Sequence, residues 1–439
     1  MMKAKGNRVA NQDLEESLLP SDPQGKQAPE LKVNVAPAVV GETEREDGNE
    51  HSKSKQGGLV GAITRSCRGD NLLLALYTLG LLFTSVGNSV FFKKMTNAMP
   101  NYSFFLNQLT STVYIPIFFS LIWYADFSGK LSEEEKKFPK SRFLALGALD
   151  ALAGICMLFG GVHTAGTLQV VFQQLTIPVT LIASGLLLRA KYHLWQILGA
   201  LVILGGVVVV QLPVILGWDS SGDAFAGNST TFNIIFSLSA VPMALSSVFK
   251  EVAFRGVSLD VNLLQGWVAF WQVLIGFVLL PLNTLPFLED QKLEWKDIPE
   301  SLWGGCKCLF AGVNTYGEGG KACGGPDQHP CDACGAAWIP VVVYLAFNVG
   351  YNVFMLLVIK YGSATLSFLV ATLRLPLSSF AFYAPFIMGD DAQEFQWTDL
   401  AGLAVLLIGL VLYRVGAHMQ EQKAERELER EKKEADLLE

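Results

Sequence analysis

The stretch LLLALYTLGLLFTSVGNSVFF, residues 72–92, is an apolar run long enough to cross a bilayer as a helix. A hydrocarbon core about 30 Å thick requires about 20 apolar residues in helical conformation. Nine further runs of similar character follow, at 104–125, 143–162, 168–188, 194–212, 232–254, 263–287, 339–359, 365–388 and 400–417. With 51% hydrophobic residues and short connections between most runs, the chain is predicted to be an all-α integral membrane protein with ten transmembrane helices.

The two halves of the chain share a pattern of polar and helix-breaking positions. One constant shift along the sequence aligns Asp150 with Asn348 and Pro178 with Pro376. Because each half has five spans, an odd number, the second half is predicted to be inserted upside down relative to the first. Inverted five-helix repeats of this kind are found in carriers whose substrate site lies near the midplane between the repeats. The alternative explanation of the similarity is the apolar composition that all membrane spans share.

The basic residues of the connections predict the orientation. If both termini are cytosolic, the lysines and arginines at 130–142, 189–191 and 250–255 all lie on the cytosolic side. The short connections on the opposite side contain only Lys93 and Lys94. This asymmetry follows the positive-inside rule and predicts cytosolic termini.

Composition also predicts the boundaries of the soluble segments. The predicted divisions are a disordered cytosolic arm at 1–58, a juxtamembrane segment at 59–71, a first repeat at 72–212, a second repeat at 232–417 and a charged cytosolic tail at 418–439. Within the arm, EESLL at 15–19 is similar to an acidic di-leucine sorting signal for endolysosomes or vacuoles, although such strings also occur by chance.

A cysteine-rich loop at 288–338, within the second repeat, contains five of the seven cysteines. On the non-cytosolic side thiols oxidise, which favours disulfides. The spacing of Cys331 and Cys334, with His329 nearby, also permits a zinc site, and redox activity is a third alternative. We expect disulfides, no metal and no other cofactor. One cysteine of the loop must stay unpaired, and Cys306 is the candidate.

Only two ionisable side chains, Asp150 and Arg374, lie well inside predicted spans, where a charge is costly and indicates function. Asp150 is able to take a proton from an acidic compartment or to pair with a substrate ammonium, and a structural ion pair is the alternative. The guanidinium of Arg374 stays charged at physiological pH. It should attract carboxylates or phosphates unless Asp150 neutralises it.

Further polar side chains inside the spans are candidates for the solute and proton pathway. They are Asn88 and Ser89 in the first span, Gln173 and Gln174 in the fourth, and Asn348 in the eighth. The two glutamines precede Pro178, which removes a helical hydrogen bond and can expose backbone carbonyls. The glutamines either line the cavity or bond to neighbouring helices.

Short motifs in several connections and spans resemble the chloroquine resistance transporter family of the drug/metabolite transporter superfamily. They are NYSF at 101–104, LRAKYHL at 188–194, TLPF at 284–287, CLF at 308–310, NT at 314–315, CDACGAAW at 331–338 and YRVG at 413–416. The resemblance implies ten helices in two inverted repeats and residence in an acidic digestive vacuole or an equivalent compartment. It also implies the disulfides Cys308–Cys334 and Cys323–Cys331.

The resemblance extends to the span residues, with two departures. Asn88 and Asp150 match family residues, whereas Arg374 stands in place of a family glutamine. Tyr351, beside Asn352, stands in place of an aspartate. One acid fewer and one base more make the cavity less negative, so zwitterions, peptides or anions are expected to be carried rather than cationic drugs.

Together with what the resemblance implies, these observations predict a proton-coupled carrier, not an enzyme. It is expected to export small organic solutes such as amino acids, peptides, glutathione-like thiols or drugs from an acidic vacuole or lysosome-like compartment. A plastid envelope is the alternative location. The alternative functions are a nucleotide-sugar or sugar-phosphate exchanger and, in another class, a membrane scaffold or enzyme. The predicted partners are the lipid bilayer, solutes and protons, with no nucleic acid, and the chain is expected to act as a monomer.

Overall fold

The computed structural model describes residues 59–187, 191–215, 230–256, 260–285, 294–324, 328–361 and 364–436. These residues are almost entirely helical. The β pairing found in the described ranges consists of an isolated bridge between Tyr316 and Lys321. The predicted arm at 1–58, with its candidate sorting signal, lies outside the described residues.

Fifteen α-helices cover the described ranges. They are α1 (Leu59–Ala98), α2 (Ser103–Phe127), α3 (Glu133–Lys137), α4 (Phe143–Val162), α5 (Gly166–Phe172), α6 (Thr176–Leu187), α7 (Leu194–Ile215), α8 (Thr230–Leu238), α9 (Ala240–Gly256), α10 (Val261–Val278), α11 (Ile298–Ala311), α12 (Trp338–Tyr361), α13 (Ala364–Tyr383), α14 (Pro385–Met388) and α15 (Trp397–Asp436). In lipid a backbone must satisfy its own hydrogen bonds, which explains why apolar runs of this length form helices.

Seven segments in the described ranges are long and apolar enough to cross a membrane. They are Leu72–Ala98, Pro100–Phe127, Lys140–Val162, Gly166–Leu187, Thr230–Lys250, Trp338–Met355 and Trp397–Gln420. Two shorter apolar helices, Leu194–Val210 and Asn262–Val278, lie between them in the chain. The prediction of an all-α integral membrane protein is confirmed.

The fourth predicted span is broken near its middle. A 3-10 turn at Gln173–Leu175 separates α5 from α6. Pro178 explains this break, because its nitrogen cannot donate to the carbonyl four residues earlier and its ring crowds that carbonyl. The backbone is therefore locally irregular beside Gln173 and Gln174, which the sequence predicts either to line the cavity or to bond to neighbouring helices.

Other helix limits differ from the apolar runs. The sixth run is divided between α8 and α9. The seventh run is α-helical as far as Val278 and then continues as a 3-10 turn. The helix of the ninth run, α13, ends at Tyr383, and Pro385 starts α14. The segment at 59–71 is continuous with the first span in α1. The charged tail continues α15 as far as Asp436, as the charge pattern indicates.

Glycines allow several helix pairs to approach closely. A β-carbon at Gly199 of α7 would lie 2.3 Å from Tyr413 N of α15, and one at Gly402 of α15 would lie 2.0 Å from a methyl group of Val210 of α7. On α1, Gly87 faces the ring of Phe347 of α12 in the same way. Small residues at such contacts are typical of helix packing in membranes.

Candidate solute site

Three asparagines from two spans meet in one hydrogen-bonded cluster. Asn348 Nδ2, on α12, donates to Asn88 Oδ1 on α1 at 2.9 Å and to Tyr344 Oη at 3.4 Å. The hydroxyl of Tyr114, on α2, donates to Asn348 Oδ1 and accepts a hydrogen bond from Asn352 Nδ2 at 2.7 Å. The structure therefore brings together Asn88, Asn348 and Asn352, which the sequence predicts, and joins α1, α2 and α12 through them.

The two tyrosines of this cluster were not among the predicted residues. Tyr344, Asn348 and Asn352 are spaced four residues apart on α12, so they share one helix face. That spacing is the sequence signal that would have indicated Tyr344. Tyr114 has no comparable signal, because its partners belong to a distant part of the chain.

Arg374 has a neutral partner. Its Nη2 donates to Gln173 Oε1 at 2.8 Å, which links α13 to the 3-10 turn between α5 and α6. Its Nε is buried and has no hydrogen-bond partner among the described residues. The structure thus brings together two predicted residues, Gln173 and Arg374.

A small cavity adjoins Arg374 between α1, α12 and α13. Its volume is about 40 Å³, and it is lined by Leu81, Ser85, Tyr351, Met355, Val370, Ala371 and Arg374. A space of this size suits a water molecule or one small polar group, not a whole amino acid. Tyr351 and Arg374, the two positions at which the chain departs from the family pattern, both line it.

The remaining predicted polar residues bond within their own helices. The hydroxyl of Ser89, which is 6% exposed, donates to Ser85 O at 3.2 Å in α1. Gln174 Nε2 donates to Val170 O at 3.3 Å. These contacts satisfy buried polar groups locally, as membrane helices require.

Asp150 belongs to a second polar group. Its Oδ2 lies 2.9 Å from Lys250 Nζ, an ion pair between α4 and α9 whose side chains are 21% and 28% exposed. Gln272 of α10 also approaches, with Nε2 3.5 Å from Asp150 O. Asp150 therefore has Lys250 as its cation, and the sequence hypothesis that it neutralises Arg374 is not supported by this geometry.

The prediction that Lys93 lies in a connection between spans is wrong. The residue lies inside α1, is 6% exposed, and its Nζ donates to Gly161 O at 3.1 Å and Val162 O at 2.9 Å. These carbonyls end α4 and have no partner within that helix. Gln169 Nε2 donates to Gly161 O as well, at 2.8 Å. Lys93 is thus a C-terminal cap of a neighbouring span.

The cysteine-rich loop contains both disulfides that the family resemblance implies. Cys308 bonds to Cys334, and Cys323 bonds to Cys331. Because Cys331 and Cys334 belong to different disulfides, neither sulfur is available as a zinc ligand. Cys306 is free, as the sequence analysis proposes for the unpaired cysteine.

Asp332 anchors this loop on the connection between α1 and α2. Its side chain is 7% exposed and accepts hydrogen bonds from Asn101 Nδ2 at 2.7 Å, Thr315 N at 3.1 Å and Tyr316 N at 2.9 Å. Asn101 also donates to Pro330 O at 2.8 Å. The loop is therefore a folded cover over one end of the helices, held by a charged acceptor with several donors.

Comparisons with known proteins agree with this architecture. The family model described as CRT-like, chloroquine-resistance transporter-like, matches residues 74–413. The chloroquine resistance transporter of Toxoplasma gondii is 48% identical over 355 residues, which are 80% of this chain but only 39% of that longer protein. Crt homolog 2 of Dictyostelium discoideum is 40% identical over 360 residues, 79% of this chain and 73% of that one. The chloroquine resistance transporter of Plasmodium falciparum is 30% identical over 370 residues, 84% of this chain and 85% of that one.

A solved structure aligns with 76% of this chain and 94% of its own at 15% identity and a TM-score of 0.36, a similarity too low to define the fold. The family match covers most of the chain and includes the asparagine cluster, the Arg374 cavity and both disulfides. The chain therefore belongs to the CRT-like, chloroquine-resistance transporter-like family of membrane transporters and is not an enzyme.

Proposed function

We propose that the chain is a ten-helix carrier built from two inverted five-helix repeats. The first repeat comprises α1, α2, α4, α5 with α6, and α7, and the second comprises α8 with α9, α10, α12, α13 and α15. The packing of these helices is reciprocal. The contact of α1 with α12 in one half corresponds to the contact of α8 and α9 with α4 in the other. In the same way, the contact of α1 with α13 corresponds to that of α9 with α6. The pairs α2 with α10 and α7 with α15 each join equivalent helices, as a twofold axis in the membrane plane requires.

The repeat-equivalent positions 150 and 348 support this arrangement. Asp150 of α4 bonds to Lys250 of α9, and Asn348 of α12 bonds to Asn88 of α1. In both cases the third span of one repeat makes a polar contact with the first span of the other. Such matching contacts support the repeat over an accidental similarity of composition.

The function that the site supports best is proton-coupled export of small organic solutes from an acidic vacuole or lysosome-like compartment to the cytosol. The observation that carries it is the ion pair of Asp150 and Lys250 between helices of the two repeats. An ionisable pair between spans is costly in a membrane and is a functional hypothesis by default. Amino acids, peptides and glutathione-like thiols are the proposed solutes, the protein acts as a monomer, and both termini are cytosolic.

Protonation of Asp150 provides a way to couple protons to helix movement. A proton from the acidic compartment removes the negative charge that faces Lys250. The attraction between α4 and α9 then falls, because the pair loses its Coulomb energy. Loss of the proton on the cytosolic side restores the pair. Asp150 is therefore the proposed proton carrier of the transport cycle.

A sugar-phosphate or nucleotide-sugar exchanger is the second candidate, because Arg374 is a cation beside the cavity. The test is uptake by the purified chain in liposomes, with amino acids, dipeptides, glutathione and sugar phosphates, with and without a pH gradient. We expect accumulation of amino acids, peptides or glutathione that requires the gradient. Exchange of sugar phosphates at equal pH would favour the second candidate, and gradient-independent uptake of every solute would contradict proton coupling.

The variant Asp150→Asn tests the proposed proton carrier. It keeps the size of the side chain and an oxygen that accepts from Lys250, but it cannot titrate. We expect gradient-driven accumulation to fall by about tenfold or more, as is usual when a positioned proton-transfer group is lost. Exchange of solute at equal pH serves as the control and should persist. Unchanged gradient-driven accumulation would remove Asp150 from the coupling mechanism.

A further inference from the structure

We propose that Arg374 and Gln173 form a recognition site for the carboxylate of the transported solute, in which Gln173 holds the guanidinium in place and the carboxylate binds its unpaired donor. This inference rests on the proposed transport function and names the class of solute. It selects amino acids, peptides and other carboxylates over amines that carry no carboxylate.

One donor of the guanidinium is left without a partner in the described residues. Gln173 Oε1 accepts from Nη2 at 2.8 Å, and Nη2 has a second hydrogen. Nε is buried without a partner among the described residues, and Arg374 lines the cavity. In a guanidinium, Nε–H and one Nη–H are parallel, which matches the two oxygens of a carboxylate. Binding along this edge would satisfy the unpaired donor.

The charge balance around Arg374 favours an anion. Arg374 is half-buried inside a span, and with a neutral partner its guanidinium lacks the counter-ion that charges in such places normally have. Asp150 is already paired with Lys250 and so does not serve this purpose. A solute carboxylate supplies the missing negative charge. One cation matches one carboxylate, whereas a doubly charged phosphate would need further cations.

Two hydroxyls near this pair in the sequence are also without a hydrogen-bond partner in the described part of the chain. Thr176 Oγ1, three residues after Gln173, and Ser378 Oγ, four residues after Arg374, have no hydrogen-bond partner among the described residues. Residues three or four apart share a helix face, so each hydroxyl lies about one turn from the Arg374–Gln173 bond. The cavity of about 40 Å³ matches a single functional group of a solute, so we place only the carboxylate there and the rest of the solute outside it.

The test is equilibrium binding to the purified, detergent-solubilised chain, which does not depend on transport. The probes are the dipeptide alanyl-leucine, its C-terminal amide and inorganic phosphate. The variants are Arg374→Gln, which removes the charge, and Gln173→Glu, which supplies an internal carboxylate to the guanidinium. Arg426→Gln, in the exposed part of α15, is the matched control because it removes the same charge far from the cavity.

We expect the wild type and Arg426→Gln to bind alanyl-leucine at least about tenfold more tightly than its amide, as loss of one charged hydrogen-bond pair implies. Arg374→Gln and Gln173→Glu should lose this preference. Equal affinity of the wild type for acid and amide, or no binding of either, would overturn the proposal, and so would tighter binding of phosphate. If the preference is present but no solute is transported, the recognition site stands and the proposed transport function fails.

Discussion

Three charged side chains inside the spans are held by different kinds of partner. Asp150 pairs with the side chain of Lys250, Arg374 with the amide oxygen of Gln173, and Lys93 with two backbone carbonyls of α4. These partners imply different roles. In the proposed mechanism a proton opens the ion pair and a solute carboxylate binds the guanidinium, whereas the bonds of Lys93 cap the end of a helix and serve stability.

Replacing Lys93 by methionine tests the structural role. The change keeps the length and apolar stem but leaves Gly161 O without its ammonium donor and Val162 O without a side-chain partner. Loss of hydrogen bonds to a buried charged group costs about 1–3 kcal/mol, so we expect the melting temperature in detergent to fall by about 1–3 °C for a chain of this size. Lys94→Met is the matched control, since Lys94 stacks on Phe91 at 5.9 Å and does not cap α4. Equal melting temperatures for the two variants would contradict the assignment.

Residue identities predicted part of the site. Asn88, Asn348, Asn352, Gln173 and Arg374 were recognised because a polar or charged side chain inside an apolar run stands out. Their hydrogen-bond partners were less predictable. A bond between distant helices depends on how each helix is rotated about its axis and how deep it lies in the membrane, which cannot be read from a single sequence. Lys93 was misassigned for a related reason: a lysine near the end of an apolar run is normally exposed at the interface.

At the scale of the elements, apolar length predicted which segments become helices but not where they break. Pro178 and Pro376 occupy equivalent positions, yet the 3-10 turn occurs before Pro178 and α13 remains one helix through Pro376. The break adjoins Gln173 and therefore presents it to Arg374. The cysteine-rich loop shows a second limit of prediction from the sequence. Its disulfide pairing was implied by the resemblance, whereas its attachment to Asn101 through Asp332 is visible only in three dimensions.

The contact of α7 with α15 provides a prediction for an element. A β-carbon at Gly199 would lie 2.3 Å from Tyr413 N and 2.7 Å from Gly409 O, closer than real contacts allow. We expect Gly199→Ala to push the helices apart and to lower the melting temperature by about 1–3 °C, as overpacking costs about 1–3 kcal/mol. Gly205→Ala, on the same helix, is the control, because nothing lies within 4 Å of its β-carbon. A melting temperature of Gly199→Ala equal to that of the control would contradict the packing.

At the scale of the whole molecule, the two proposed repeats are not packed identically. In the pair α4 and α10, a β-carbon at Gly147 would lie 2.5 Å from Trp271 Cβ, so these helices are in close contact. The equivalent pair α12 and α2 is joined through the side chains of Tyr114, Asn348 and Asn352. In a carrier with inverted repeats, the close contact of one repeat becomes the looser contact when the conformation changes, and the looser contact of the other repeat becomes close. A difference between the two equivalent contacts is therefore expected in either conformation.

The central claim is that two five-helix bundles are inserted in opposite orientations. It is tested most directly by labelling single cysteines with a membrane-impermeant maleimide in oriented vesicles, in a chain whose free cysteines are replaced by serine. The variants are Ser54→Cys in the arm, Glu318→Cys in the cysteine-rich loop and Glu429→Cys in the tail. The account predicts that positions 54 and 429 react from one side of the membrane and position 318 from the other. Labelling of positions 54 and 429 from opposite sides, or of 54 and 318 from the same side, would contradict it.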